Sequence, residues 1–288
     1  MAPIGIFDSG IGGLSVAGAV AGLLPEEHFV YVADSAYAPY GPRSAEEILL
    51  RSRKITAYLL GAGAKMIVIA CNTATSVAID ALRAEYPEVP FVGMEPAVKP
   101  AAGAGRVGVM ATAATLKSER YLSLRDKYLG GEDVLENACV GLVPLIEASV
   151  ETAPRLRGKL NDILQPMLAA EMDTLVLGCT HYPMVKDEIS AICGPAVSII
   201  DPSPAAARQV ERLLRQRGLA VPPAETAPGT RVSAPKTKTT AGEAKKAARS
   251  RPRYDFFATG GSAALQRALW KAEVLNRNRK LVVPRLEL

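Results

Sequence analysis

The sequence lacks the features that mark secreted, membrane-spanning and metal-binding proteins. No apolar run approaches the roughly 20 residues that cross a bilayer, and the chain starts in a strand-like pattern with no basic leader or cleavage site. We therefore expect a cytoplasmic protein without membrane contacts. Only four cysteines occur, far apart and without C-x-x-C spacing, so we expect free thiols rather than a disulfide framework.

The positive charge of the chain is confined to one segment. The whole chain carries a formal charge of +5, but eight basic and two acidic residues lie between Gly218 and Arg253. The remainder is therefore close to neutral, which argues against a specific nucleic-acid site on the folded body. Residues 220–253 are also rich in Ala, Pro, Thr and Lys and lack aromatic residues, and we predict a disordered basic insertion there.

Strand-like and helix-like patterns alternate through the rest of the chain. This alternation is typical of parallel sheets flanked by helices, and hence of an α/β fold. The strand-like runs are at residues 4–7, 29–33, 66–69, 107–110, 174–177, 197–200 and 254–260. The helix-like runs are at residues 14–24, 45–60, 118–128 and 155–170, with further helices ending near 215 and 270.

The two halves of this pattern resemble each other. The run Ile4–Ser9 is similar to Val107–Thr112, and the run that ends in Cys71 is similar to the run that ends in Cys179. The two offsets, 103 and 108 residues, are close enough to suggest an internal duplication. We predict two pseudo-symmetric α/β domains with the active site in the cleft between them. The first comprises residues 1–97, 203–219 and 254–288, and the second residues 98–202.

A cysteine ends each of two matching strands. Cys71 and Cys179 follow buried apolar runs, and hydroxyl, amide and imidazole side chains come directly after them. The carboxyl ends of parallel strands line the ligand crevice of an open sheet. A thiol there, beside the start of a helix, can act as an acid or a base. We assign Cys139 and Cys193 to the core, because their neighbours are small or apolar.

Two matched thiols favour one reaction class, in which a proton leaves one face of a carbon and another arrives on the opposite face. That reaction is racemisation or epimerisation, and nearby amide and hydroxyl donors could stabilise the charge that develops on a carboxylate. His181 could tune Cys179, and Asp8 could tune Cys71, although the position of Asp8 taken alone favours a helix cap. The glycine-rich turn after Asp8 does not match a nucleotide-binding fingerprint.

Four motifs in this chain resemble glutamate racemase. They are Asp8-Ser9-Gly10-Ile11-Gly12-Gly13-Leu14, Pro39-Tyr40-Gly41, Ala70-Cys71-Asn72-Thr73-Ala74-Thr75 and Gly178-Cys179-Thr180-His181-Tyr182-Pro183. The resemblance implies racemisation of glutamate without a cofactor or a bound metal, to supply D-glutamate for peptidoglycan, in a protein that is a homodimer. It also implies that Cys71 exchanges the α-proton of D-glutamate and Cys179 that of L-glutamate.

The resemblance further implies a set of assisting and substrate-binding residues. Asp8 and His181 would assist the two thiols, and Glu95 falls where the family also has an acidic residue, with a cap or hinge contact as its alternative role. The substrate would be bound by Asp8, Ser9, Tyr40, Gly41, Asn72, Thr73, Thr75, Thr180 and His181. Hinges between the domains are expected near residues 95–99 and 202–206.

Three alternatives stay open at this point. A racemase of aspartate or another acidic amino acid would use the same pair of thiols. A metal protein could use Cys71, Cys179, His181 and Asp8 as ligands, although the spacing of dedicated zinc sites is missing. A two-lobed solute-binding protein could share the architecture, but it would have no use for the two polar-flanked thiols.

Overall fold

The computed structural model describes residues 1–130, 133–148, 153–222, 253–271 and 285–288. In this part of the chain nine strands form two parallel sheets with helices packed against them. The predicted α/β fold class is confirmed. Within the described ranges, no helix is long and apolar enough to cross a membrane.

The first sheet has five strands, and β1 lies at its centre. Its strands are β1 (Ile4–Asp8), β2 (Phe29–Ala33), β3 (Met66–Ile69), β4 (Phe91–Gly93) and β9 (Tyr254–Ala258). The order is β4-β3-β1-β2-β9, and every pairing is parallel. Every residue of β1, β2 and β3 is buried, which explains why their sequences are continuous apolar runs rather than alternating ones.

The second sheet has four parallel strands in the order β6-β5-β7-β8. They are β5 (Arg106–Ala111), β6 (Asp133–Asn137), β7 (Thr174–Gly178) and β8 (Ser198–Ile200). β5 and β7 are paired at the centre, with Ala111 opposite Gly178. β7 is buried throughout, so Cys179 follows a strand enclosed on both faces.

Ten helices surround these sheets in the described ranges. They are α1 (Leu14–Leu23), α2 (Ala45–Gly61), α3 (Asn72–Glu85), α4 (Ala113–Leu116), α5 (Glu119–Leu129), α6 (Leu142–Ala148), α7 (Ala153–Ala169), α8 (Lys186–Cys193), α9 (Ser203–Gln216) and α10 (Ala263–Lys271). Side chains cap several of their N-termini. The Ser44 hydroxyl accepts the Glu47 N–H at the start of α2, and the Cys71 thiol does the same for Ala74 at the start of α3.

Packing joins the end of the chain to its beginning. Residues of α9 and β9 share one apolar core with α1 and β1, including Val210, Leu214 and Phe256. β9 pairs with β2, with Phe256 opposite Tyr31. The chain passes from β4 to the second sheet through a 3-10 turn at Lys99–Ala101, and it returns at the start of α9.

The observed elements agree with the predicted runs to within about two residues at most ends. No run was predicted for β4, β6, α3, α4, α6 or α8. Of these, α6 proves important for the site. Most of the predicted basic insertion, residues 223–252, lies outside the described residues, as do residues 272–284. The domain boundaries stay a prediction.

Candidate active site

The two thiols lie at the same kind of position in the two sheets. β3 ends at Ile69 and is followed after one residue by Cys71, while β7 ends at Gly178 directly before Cys179. Both side chains are buried, with 5% and 6% of their surface exposed. Each thiol is therefore held at the carboxyl end of a parallel strand, one in each sheet, as the sequence predicted.

Cys71 has a polar but largely dry environment. The Ala74 N–H donates to its Sγ at 3.4 Å, and its thiol donates to the Ser9 hydroxyl at 3.8 Å. Burial raises the pKa of the Cys71 thiol, and the negative charges of Asp8 and Cys179 raise it further, against the opposing effect of the Ala74 N–H. At neutral pH Cys71 therefore holds its proton.

Cys179 is linked to a histidine and a glutamate. The His181 Nδ1 lies 3.8 Å from the Cys179 Sγ, and the opposite ring nitrogen, Nε2, lies 2.8 Å from the Glu147 Oε1. Burial lowers the pKa of His181, but its hydrogen bonds with Cys179 and Glu147 outweigh burial, and the pKa is raised well above its usual range. The imidazole is therefore a cation that can stabilise a thiolate on Cys179.

Glu147 is a member of the site that the sequence interpretation missed. Burial alone raises the pKa of its carboxyl, but the hydrogen bond and charge of His181 lower it more, so the net pKa is lowered. The carboxylate also accepts the Ile11 N–H at 3.2 Å. Its helix, α6, was not predicted. Without that helix, there was no reason in the sequence to expect Glu147 near His181.

Asp8 connects the two halves of the site. Its Oδ2 accepts the Gly10 N–H at 2.8 Å, and its Oδ1 accepts the Thr180 hydroxyl at 3.1 Å. Burial raises the pKa of Asp8, whereas the nearby His181 cation opposes that shift. The carboxylate thus acts within its own turn rather than as the predicted cap of α1, whose N-cap residue is Gly13 and has no side-chain cap hydrogen bond. It also reaches the residue that follows Cys179.

The glycines after Asp8 allow the two halves to approach closely. A Cβ on Gly12 would lie 2.3 Å from the His181 Nδ1, and a Cβ on Gly10 would lie 1.8 Å from the Glu147 Oε1. The first turn of α1 adds a further contact, because the Ser15 hydroxyl donates to the Thr180 carbonyl at 3.1 Å. The glycine-rich turn therefore receives the His181–Glu147 pair rather than a phosphate.

Asn72 carries a buried amide that is not hydrogen-bonded. Only 3% of the residue is exposed, and neither Oδ1 nor Nδ2 has a partner among the described residues. An unpaired buried polar group costs about 1–3 kcal/mol. Because Asn72 comes directly after Cys71, this cost is consistent with an amide that is kept for a ligand at the thiol.

The second sheet contributes Thr112, which the sequence interpretation also missed. Its hydroxyl lies 2.9 Å from the Thr73 hydroxyl and 3.0 Å from that of Thr115. A Cβ built on Gly41 would lie 3.6 Å from the Thr112 Cβ, so Gly41 faces the same residue. The similarity of Ile4–Ser9 to Val107–Thr112 contained this signal, since it aligns Thr112 with Ser9.

Two predicted substrate-binding residues use their hydroxyl groups within the protein. Tyr40 donates to the Asp34 Oδ2 at 2.6 Å. Thr75 donates to the Ile69 carbonyl at 3.2 Å and accepts the Met94 N–H at 2.9 Å, which ties the end of β3 to the end of β4. A direct role for these two hydroxyls in substrate binding stays a prediction.

Glu95 makes a contact between the halves of the chain. Its carboxylate pairs with Arg120 of α5, which also lies 3.5 Å from Asp80 of α3. All three line an open cleft of about 810 Å³. The role of Glu95, as a helper of the thiols or as a cap or hinge contact, stays a prediction.

The other two cysteines, Cys139 and Cys193, have no hydrogen bond to His181 or Ser9 in the described part of the chain. Cys193 ends α8, and Cys139 donates to the Asn137 carbonyl at 3.3 Å. In the described ranges, no group of three or more His, Cys, Asp or Glu side chains has an arrangement that could hold a metal ion.

Comparison with known proteins places the chain among racemases. Residues 15–210 match the family model described as Asp/Glu/Hydantoin racemase. A glutamate racemase of Ectopseudomonas mendocina is 51% identical over 221 residues, which cover 76% of this chain and 84% of that protein.

Solved structures give the same result over nearly the whole chain. The crystal structure of a glutamate racemase isoform from Bacillus anthracis has a TM-score of 0.78 and 28% identity, and covers 100% of this chain and 98% of that one. A glutamate racemase from Francisella tularensis in complex with D-glutamate has a TM-score of 0.75 and 27% identity, and covers 99% and 97%. These findings confirm the resemblance that the four motifs indicated. The chain therefore belongs to the Asp/Glu/hydantoin racemase family.

Proposed function

We propose that this chain interconverts L-glutamate and D-glutamate without a cofactor, with Cys71 and Cys179 as the two acid–base groups. The observation that carries the proposal is the pair of buried thiols at the carboxyl ends of β3 and β7, with the unpaired Asn72 amide beside one of them. The 51% identical glutamate racemase supports glutamate as the substrate.

In the direction from L- to D-glutamate, the Cys179 thiolate takes the α-proton and becomes a thiol. The electron pair left on the α-carbon is shared with the α-carboxylate. Cys71 then donates its thiol proton to the opposite face of that carbon and becomes a thiolate. The reverse direction starts from this second state, so each turnover exchanges the protonation states of the two sulfurs.

The charge that develops on the carboxylate must be stabilised, because an α-proton beside a carboxylate is a very weak acid. The unpaired amide of Asn72 is a donor for this purpose, and the Thr73 hydroxyl lies one residue further along α3. Fixed donors in a site with little water stabilise such charge more than solvent does. We assign the same task to the Ser9 hydroxyl beside Cys71. The Thr180 hydroxyl donates to Asp8, so its part is to hold that carboxylate.

His181 and Glu147 prepare Cys179 for its role as the base. The imidazolium lies 3.8 Å from the sulfur, so it stabilises the thiolate, and Glu147 holds the ring through the opposite nitrogen. Asp8 acts on the Cys71 side, because its negative charge raises the pKa of that thiol. Cys71 is thus held as the thiol that donates a proton in the direction from L- to D-glutamate.

The first experiment measures turnover in the absence of added cofactor. The purified chain is dialysed against a chelator and given L-glutamate or L-aspartate without pyridoxal phosphate, and the enantiomers are separated chromatographically. We expect D-glutamate to form and aspartate to react much more slowly. Faster turnover of aspartate than of glutamate would identify aspartate as the substrate. Activity that is restored only by added metal would favour the metal alternative.

The proposal extends to the setting of the reaction. The family resemblance suggests a cytoplasmic homodimer that supplies D-glutamate for peptidoglycan, and light scattering of the purified chain would measure its oligomeric state.

We also propose that residues 1–97, 203–219 and 254–288 move against residues 98–202 about the segments 95–99 and 202–206. Equal domain angles in free and glutamate-bound crystals would contradict this movement.

A further inference from the structure

A buried ion pair organises the loop between β2 and α2, residues 34–44, which carries Tyr40 and Gly41. The Asp34 carboxylate is fully buried and accepts two hydrogen bonds from the Arg51 guanidinium, at 2.8 and 2.9 Å. It also accepts the hydroxyl groups of Tyr40 and Thr259, both at 2.6 Å. A single carboxylate thus ties the start of the loop to its middle, to α2 and to the end of β9.

Arginine side chains hold the outer part of the same loop. The Arg51 guanidinium lies 4.0 Å from the centre of the Tyr37 ring, and that of Arg43 lies 5.2 Å from it. Arg43 also donates to the Tyr37 carbonyl. The Thr259 hydroxyl accepts the Ala36 N–H at 3.2 Å, so β9 contacts the loop a second time.

The last four residues of the sequence complete this arrangement. Arg285 forms a parallel bridge with Ala258, and the Leu286 N–H donates to the Ala258 carbonyl at 2.8 Å. Leu286 and Leu288 pack against the apolar core that contains Tyr40 and Ile48. The main-chain oxygen of Leu288 accepts a hydrogen bond from Arg51 Nη1 at 3.0 Å.

Arg51 is therefore shared between the loop and residues 285–288. Its Nε and Nη2 donate to Asp34, while its Nη1 donates to Leu288. A guanidinium can satisfy both partners in one orientation because its donors form a fixed, planar fork. Deletion of Leu288 leaves the buried Nη1 of Arg51 without its hydrogen-bond acceptor. The guanidinium then reorients, and its hydrogen bonds to Asp34, which hold the loop, are weakened.

We propose that Arg51 and residues 285–288 are positioning residues for substrate binding, because they fix the loop that holds Gly41 opposite Thr112. This inference rests on the proposed function for its kinetic consequence, since Tyr40 and Gly41 are assigned to the substrate by the family resemblance. The thiols are on other elements, at the ends of β3 and β7. Release of the loop should therefore weaken glutamate binding and leave proton transfer nearly intact.

The test compares three variants with the intact chain. One lacks residues 285–288, the second is Arg51→Lys, which keeps the charge but loses the fork, and the third is Arg53→Gln. Arg53 is the matched control, because it is an exposed arginine of the same helix that pairs with Glu85. Each variant is assayed for KM and kcat, and for the rate at which trypsin cleaves after Arg43, followed by mass spectrometry of that one fragment.

We expect the deletion and Arg51→Lys to raise KM for glutamate about tenfold, which corresponds to one lost hydrogen bond to a charged group, with kcat within about twofold of the intact chain. Cleavage after Arg43 should accelerate by a similar factor, and Arg53→Gln should change neither quantity.

Unchanged KM and unchanged cleavage in Arg51→Lys would overturn the proposal even if the deletion variant fails to fold. A fall in kcat with KM unchanged would overturn it as well. The cleavage assay uses no substrate, so it tests the hold on the loop whether or not the intact chain turns over glutamate.

Discussion

At the scale of single residues, the four cysteines differ in their neighbouring groups rather than in their burial. All four are buried and free. Cys71 contacts Ser9 and Cys179 contacts His181, whereas Cys139 bonds to a main-chain carbonyl. Burial explains why a thiol keeps its proton, but only the polar neighbours explain how it can give that proton up.

Serine substitutions separate these two groups. We expect Cys71→Ser and Cys179→Ser each to lower racemisation at least about 100-fold, because a serine hydroxyl is a far weaker acid than a thiol and general acid–base catalysis contributes that much or more. Cys193→Ser is the matched control, and its activity should stay within about twofold. Turnover is measured from either enantiomer. Near-normal activity of Cys71→Ser would show that one thiol suffices.

Glu147 can be tested in the same way. Glu147→Gln keeps a hydrogen bond to His181 but removes the charge that helps to raise the pKa of its ring. We expect kcat to fall about tenfold, the effect of weakening one charge-assisted hydrogen bond. Glu188→Gln, at an exposed position of α8, is the control. The ring of His181 should also titrate at lower pH by NMR in Glu147→Gln, and an unchanged titration would contradict the assigned role.

At the scale of elements, the glycine turn between β1 and α1 sets the distance between the two halves of the site. Gly12→Ala would place a methyl group 2.3 Å from the His181 Nδ1, so the imidazole must move away from Cys179. We expect a loss of activity of about 100-fold with the fold retained. A variant as active as the intact chain would show that the ring position is not critical.

Gly18→Ala provides the control for that substitution. Gly18 lies in α1, and a Cβ at this position meets no other atom within 4 Å. Alanine is the better helix former, so the free energy of unfolding should rise by about 0.5–1 kcal/mol while activity stays the same. Thermal and denaturant unfolding measure this change.

The sequence predicted elements where the apolar pattern is strong. β1, β2, β3 and β7 are continuous apolar runs because helices cover both faces of their sheets, and these strands agree with the prediction. β6 is mostly half-exposed or exposed and includes two acidic residues, and α6 is only seven residues long. Short or half-exposed elements have too few buried apolar residues to show a periodic pattern that distinguishes them from a loop. For this reason neither was predicted.

The site was predicted to the extent that its residues follow strand ends. Cys71, Cys179, Asp8 and His181 all lie at or just after the end of a recognisable strand, and the structure brings them together. Glu147 lies on a helix whose position depends on tertiary packing. The inward hydrogen bond of Tyr40 goes to Asp34, six residues earlier, which also binds Arg51, and no pattern in the sequence indicates that this carboxylate is buried.

At the scale of the whole molecule, the site exists only where the two sheets meet. The Thr73–Thr112 and Asp8–Thr180 hydrogen bonds each join a residue at the end of one sheet to a residue at the end of the other. The Arg120–Glu95 and Arg120–Asp80 ion pairs link the same two halves further out. Relative movement of the halves therefore changes the distance between the two thiols.

This shared site predicts a bell-shaped dependence of kcat/KM on pH. L-glutamate requires Cys179 as thiolate and Cys71 as thiol, so activity falls at low pH, where both are protonated, and at high pH, where both are ionised. Burial raises the pKa of Cys71, so its proton is lost at higher pH than from an ordinary thiol. The alkaline limb should therefore lie above the usual thiol pKa of about 8.5. A flat profile through alkaline pH would contradict the pair.

The most direct test of the two-thiol account is the fate of the α-proton during early turnover. The purified chain is incubated with L-glutamate in D2O, and both enantiomers are isolated while little product has formed. Two bases on opposite faces predict that D-glutamate carries deuterium at the α-carbon while the remaining L-glutamate keeps its hydrogen, because Cys71 delivers a solvent-derived deuteron. D-glutamate that retains the original hydrogen would mean that a single base returns the proton it removed, and would contradict the account.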